Sequence, residues 1–186
     1  MPAMIQTLHD EVVHAEAVHA EAIPRRVLVA TDTGPASASA ERAGVELAGR
    51  VEATLILLSV IDPSRLRLPG GLFHTRVDQV RTERESALAR MVENARRQGV
   101  SAQFLIWEGD PGASVIEAAE AEGADVIVVG SHARGPVGRL LLGSVSSHVV
   151  DHGRRVVVVR PGQRLDDVWP IASPNRRASA NGADRE

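Results

Sequence analysis

Val126-Ile127-Val128-Val129-Gly130-Ser131-His132-Ala133-Arg134-Gly135-Pro136-Val137-Gly138-Arg139-Leu140-Leu141-Leu142-Gly143-Ser144-Val145-Ser146 opens as an unbroken β-branched run, crosses a glycine-rich loop and ends on small hydroxylated residues. A continuous apolar run of strand length, as opposed to an alternating one, is how a strand buried on both faces reads. Similar runs occur at Val27–Ala30, Leu55–Val60, Phe104–Trp107 and Val156–Val159. Between them the apolar period becomes helical. Ala40, Ala43, Leu47 and Ala48 make one stripe; Val77, Val80, Ala87, Leu88, Met91 and Ala95 make a longer one, stopped by Gly99. Asp110-Pro111 is a helix start, a capping carboxylate followed by proline in the first turn. Val115, Ile116 and Ala119 face inward from that helix, which stops at Gly123, and a fourth helix is predicted from near Ser144 to Gly153.

Strands alternating with helices predict an α/β domain: an open five-stranded parallel sheet with helices on both faces and right-handed crossovers. Ligands of such sheets sit beyond the carboxyl ends of the strands, where strand order reverses. The residues to watch are therefore Thr31-Asp32, Val60-Ile61-Asp62, Gly109-Asp110 and Gly130-Ser131. Spacing alone leaves the strand order open.

Composition narrows the chemistry. The 186 residues suffice for one domain, and they include no cysteine, lysine or tyrosine. Disulfides, thiol nucleophiles, cysteine-held metals, Schiff-base lysines and the phosphate-loop lysine are thereby excluded. With 44% hydrophobic residues the chain reads as a folded protein, and with 2% aromatics it has no stacking platform for single-stranded nucleic acid. The net charge of −3 comprises −4 from residues 1–23, +1 from 24–162 and zero from 163–186. No basic block marks nucleic acid as a partner, and no apolar run approaches the roughly 20 residues that span a bilayer. The start has neither the basic end of a secretory signal nor the low acidity of a transit peptide, so a cytoplasmic location is expected.

Three segments follow: an N-terminal extension over 1–23, a domain over 24–162 and a disordered tail over 163–186 rich in Pro, Asn and Ser. The extension repeats Val-His-Ala-Glu-Ala at 13–17 and 18–22. Residues five apart fall about 140° apart on a helix, so His9, His14 and His19 share no face and make no metal site. The extension reads as an Ala/Glu-rich helix that ends before Pro24, with Ile5, Leu8 and Val12 as a short docking stripe.

The loop after the fourth strand carries the chemistry. Glycine at a strand end lets a ligand approach the backbone, and a helix opening at Gly143-Ser144-Val145-Ser146 offers unpartnered amides and hydroxyls to phosphate without any lysine. A tight turn would use the same glycines. Arg134 and Arg139 would add charge from the loop or simply be solvated.

This loop resembles the nucleotide-binding signature of the universal stress protein family, Gly-x2-Gly-x9-Gly-Ser/Thr. Here it reads Gly130-x2-Ala133-x9-Gly143-Ser144, with alanine in place of the second glycine. Val27-Leu28-Val29-Ala30-Thr31-Asp32 is similar to the family's first strand and terminal Asp, Gly109-Asp110-Pro111 to its third-helix start, and Ala124–His132 and Val156–Pro161 to its last two strands. The resemblance spans about residues 25–161. It implies a Rossmann-like sheet of order 3-2-1-4-5, of the adenine nucleotide alpha hydrolase-like kind, with ATP (or AMP or ADP) crossing between strands 1 and 4. Asp32, with Ala30 and Thr31 beside it, and the backbone of Val60 would address adenine. Gly130 would lie near ribose, Ala133 in the loop, and Gly143, Ser144, Val145 and Ser146 on the phosphates, which would carry Mg2+ or Mn2+. The resemblance also implies a homodimer through Val156–Val159.

The function expected is an ATP-binding regulatory module of the stress response that acts through occupancy, dimerisation and an unknown protein partner. Hydrolysis would be at most slow, because no general base is identifiable for the γ-phosphate. Two rivals are a nucleotide-independent interaction protein of the same fold and an adenylyl- or phosphoryl-transferring enzyme. The latter lacks the His-x-Gly-His or lysine-bearing loop it would need. His132 has no orienting acid, Gly112-Ala-Ser114 does not complete a nucleophile elbow, and His148 with His152 has helical metal spacing but no third ligand.

Overall fold

A parallel strand covered on both faces must turn apolar side chains in both directions, and the central strands here do so. In the computed structural model, which describes residues 23–66, 73–131, 144–151 and 155–169, five strands β1 (Arg26–Ala30), β2 (Thr54–Ile61), β3 (Ala102–Glu108), β4 (Val126–Gly130) and β5 (Val156–Val159) alternate with helices α1 (Ala38–Val51), α2 (Phe73–Arg97), α3 (Pro111–Ala121) and α4 (Ser144–Val150). A short helix α5 (Leu165–Val168) follows. The strands pair in parallel in the order β3-β2-β1-β4-β5. This is the predicted fold.

The pleat divides the core in two. Val27, Val29, Leu55, Leu57, Val126 and Val128 meet Ala40, Ala43, Leu47 and Ala48 of α1 and Leu88, Val92 and Ala95 of α2. Leu28, Ile56, Leu58, Ile127 and Val129 meet Val115, Ile116, Ala118 and Ala119 of α3 and Val149 of α4. α1 lies close on β1 because Gly44 faces the sheet: a Cβ there would stand 2.2 Å from Val29 Cγ2. α1 ends without glycine, on Glu52 at φ 55°. Asp110 caps α3 as its sequence predicts, its carboxylate accepting from the Ala113 amide at 3.0 Å ahead of Pro111.

One expectation is corrected. Disorder does not begin at residue 163: α5 packs on the domain, with Leu165 1% exposed in the same core as Val157 and Val159. Gly162 donates to Ser39 Oγ at 3.1 Å, Asp166 pairs with Arg50, and Arg155 lies 4.1 Å over the Trp169 ring. Residues 163–169 are therefore part of the packed domain. The extension over residues 1–22 and the segment from 170 onward lie outside the described residues.

Candidate functional site

The reversal of strand order falls between β1 and β4, whose connections leave to opposite faces, and a cleft of about 450 Å³ opens there beyond the strand ends. Its first wall follows from ladder parity. Along a parallel strand, alternate residues turn both backbone polar groups to the same neighbour. The Leu58 carbonyl takes the Thr31 amide at 2.9 Å, so Val60, two residues on, turns its N–H and C=O the same way. β1 has ended at Ala30 by that point. A backbone donor and acceptor thus edge the cleft.

The turn after β1 is pinned by side chains. The Thr33 amide donates to Thr31 Oγ1 at 2.8 Å and the Gly34 amide to Asp32 Oδ1 at 2.9 Å. Thr33 sits at φ 60°, a strained setting for a β-branched residue. Thr31 is 6% exposed; its hydroxyl donates to Glu41 on α1, whose carboxylate also accepts from Ser37 Oγ at 2.7 Å. The Thr31 hydroxyl therefore locks β1 to α1, while Asp32 remains exposed at the cleft.

The opposite wall is made by β4 and α4. Ser146, 2% exposed, donates from its hydroxyl to the Gly130 carbonyl at 2.8 Å, closing the strand end onto the helix. A Cβ on Gly130 would meet the Ala36 carbonyl at 3.3 Å, so glycine keeps this strand end close to the start of α1. Val145 also lines the cleft.

The outer rim carries charge. Asp62 accepts from the Ser64 amide at 2.9 Å and pairs with Arg65 at 3.0 Å. The Ser64 hydroxyl, more than any other group, holds the Asp62 carboxyl below the usual carboxylate range. From α2, half-buried Arg84 reaches in: Nη1 donates to the Val60 carbonyl at 2.5 Å and to Ser59 Oγ at 2.9 Å. Burial draws its pKa down and the Asp32 charge draws it back up; a guanidinium so placed stays protonated.

Of the residues singled out from sequence, Ala30, Thr31, Asp32, Val60, Gly130, Val145 and Ser146 all line this one cleft. Ala133 and Gly143 lie outside the described residues, as does His132; Ser144 is placed as the first residue of α4. Ile61 and Asp62, named among the strand-end residues to watch, line the cleft as well, and so do Arg84 and Arg65, which were not foreseen. Arg84 had a signal. It falls at i+7 from Val77 and i+4 from Val80, an arginine on the inward stripe of α2. His148 packs against α3, its ring only 3.0 Å from where a Gly112 Cβ would stand, and His152 is outside the described residues. Among the described residues no three His, Asp or Glu side chains converge on a possible metal position.

A profile of the Universal stress protein family matches residues 24–160. The chain belongs to that family. Universal stress protein YxiE of Bacillus subtilis is 31% identical over 136 residues, which cover 67% of this chain and 90% of that protein. Universal stress protein UspA from Lactobacillus plantarum superposes with a TM-score of 0.66 at 26% identity, over 75% of this chain and all of that one. A universal stress protein from Archaeoglobus fulgidus, solved in complex with dAMP, shares the fold at a TM-score of 0.53 and 22% identity, over 74% of this chain and 98% of that one. No helix among the described residues is long and apolar enough to cross a membrane.

Proposed function

We propose that this universal stress protein is a nucleotide-responsive module that binds an adenine nucleotide across the ends of β1 and β4. One observation carries the reading. Seven residues chosen from sequence motifs far apart in the chain line a single cleft at the switch point, with the Val60 backbone edge and Asp32 on one side and Gly130, Val145 and Ser146 on the other. The dAMP held by the Archaeoglobus fulgidus relative supports the choice of ligand. The base would lie along Val60 and Asp32, the ribose by Gly130, and the phosphates toward the Gly143–Ser146 stretch. Mg2+ or Mn2+ would ride on the phosphates of ATP.

Occupancy would act through association. β5 is an edge strand whose Val156 and Val158 are half-buried, and an apolar edge of this kind needs cover; a second copy pairing along Val156–Val159 would supply it. Hydrolysis would be at most slow, because no residue is identified as a general base aligned on the γ-phosphate. The test is mass spectrometry of the purified protein for retained nucleotide, with calorimetry using ATP and Mg2+. Micromolar or tighter binding is expected, abolished by Gly143→Asp and tightened by Ala133→Gly. Retained affinity in Gly143→Asp would move the phosphates elsewhere, and failure of the unmodified chain to bind any adenine nucleotide would leave an interaction protein of this fold.

A further inference from the structure

Arg84 is built into the base end of the cleft. Ser59, fully buried, donates its one hydroxyl proton to the Thr31 carbonyl at 2.8 Å, so towards Arg84 it can only accept. Arg84 therefore stands at the head of a directed chain, Arg84 to Ser59 to Thr31, that joins α2, β2 and the end of β1. The same Nη1 covers the Val60 carbonyl at 2.5 Å. A guanidinium has five N–H donors and no acceptor, and these two contacts use one nitrogen of its fork.

On the nucleotide reading above, on which this inference rests, the base end would offer, beside the Val60 N–H, two acceptors, the Val60 carbonyl and the Asp32 carboxylate. Both suit the exocyclic amine of a 6-aminopurine. Arg84 already donates to the first of them and faces the charge of the second. It competes with the amine for those acceptors, and it adds N–H groups on which a 6-oxo group could land. We propose that Arg84 sets the base preference of this cleft, turning an edge selective for 6-aminopurines into one that accepts 6-oxopurines about equally well. Without Arg84, a 6-oxo group placed where the exocyclic amine would lie faces the bare Val60 carbonyl, acceptor against acceptor. A site that rejects a ligand by leaving its own polar groups unpaired discriminates far more strongly than one that relies on shape.

The experiment is calorimetry of the full chain with ATP and with ITP, each with Mg2+, on the unmodified protein and on Arg84→Met and Arg84→Gln, with folding checked by circular dichroism. The unmodified protein should bind the two within roughly threefold of each other. Arg84→Met should raise the preference for ATP by about tenfold or more, equivalent to about 1.4 kcal/mol, while Arg84→Gln, which keeps a donor in place of the charge, should restore most of the tolerance for ITP. An unmodified protein that already favours ATP by more than tenfold overturns the inference whatever the variants do, and leaves the nucleotide reading intact. Equal tightening of both ligands in Arg84→Met also overturns it, showing that the side chain merely fills space. If neither ligand binds the unmodified protein, the nucleotide reading and this inference fall together.

Discussion

The Ser146 hydroxyl donates to the Gly130 carbonyl at 2.8 Å and thereby fastens the first turn of α4 to the end of β4. That single proton is committed, so towards a phosphate Ser146 has its amide to offer and not its hydroxyl. Ser146→Ala leaves a strand-end carbonyl without its partner and should lower stability by about 1–2 kcal/mol. Affinity for ATP should fall by no more than roughly threefold, under 1 kcal/mol. Thermal denaturation and calorimetry read the two effects separately. A tenfold loss of affinity with unchanged stability would put the hydroxyl on the ligand instead.

Gly44 and Val29 give a second test, on the packing of α1 against the sheet. A methyl at Gly44 would stand 2.2 Å from Val29 Cγ2 and 3.7 Å from Leu55 Cδ1. Ala is the better helix former by roughly 0.5–1 kcal/mol, yet overpacking a close contact costs about 1–3 kcal/mol. Gly44→Ala should therefore destabilise. Combined with Val29→Ala, which clears the space, the loss should be well below the sum of the two single losses, as expected for residues in contact. Urea denaturation of the four proteins decides it, and strict additivity would refute the contact.

Leu165 tests where the domain ends. It is 1% exposed against the α1 and β5 side of the core, so Leu165→Ala should cost about 2–5 kcal/mol. Truncation after residue 162 should cost at least as much, because it also removes Asp166 from Arg50 and Trp169 from Arg155. Thermal unfolding of both variants is the measurement; a truncated protein as stable as the full chain would show that α5 contributes nothing.

These cases show what the sequence reveals and where it stops. β1, β2, β4 and β5 are legible because burial on both faces leaves unbroken apolar runs, and Asp110-Pro111 is legible because its cap is local. Strand order follows from family resemblance and not from spacing. α5 escapes because a four-residue helix holds about one turn, too short for any period, and its one anchor, Leu165, depends on partners far away in the chain. The left-handed Thr33 escapes for a related reason: the side chains of Thr31 and Asp32 impose the turn where glycine would ordinarily mark it. In the cleft, the strand-end residues were accessible by topology. Arg84 was visible only as a charge on an apolar stripe, and the acceptor it covers becomes apparent once β2 and α2 are brought together.

Asp62 ties the rim of the cleft to pH. Its carboxylate accepts from both the amide and the hydroxyl of Ser64 and pairs with Arg65. The hydroxyl contributes most to lowering its pKa; Arg65, 71% exposed, contributes less and is screened by salt. A depressed carboxyl pKa stabilises the fold at pH values above the unfolded-state value of about 3.9, and that contribution disappears as pH falls through the lower folded value. Ser64→Ala should therefore raise the Asp62 pKa toward its ordinary value and flatten the stability profile within that acidic window. Arg65→Gln should raise it less, by an amount that shrinks with added salt. Carbon-detected NMR titration of the carboxyl group distinguishes the two: a larger shift in Arg65→Gln than in Ser64→Ala would make the ion pair, and not the serine turn, the group that keeps the rim negatively charged in acid.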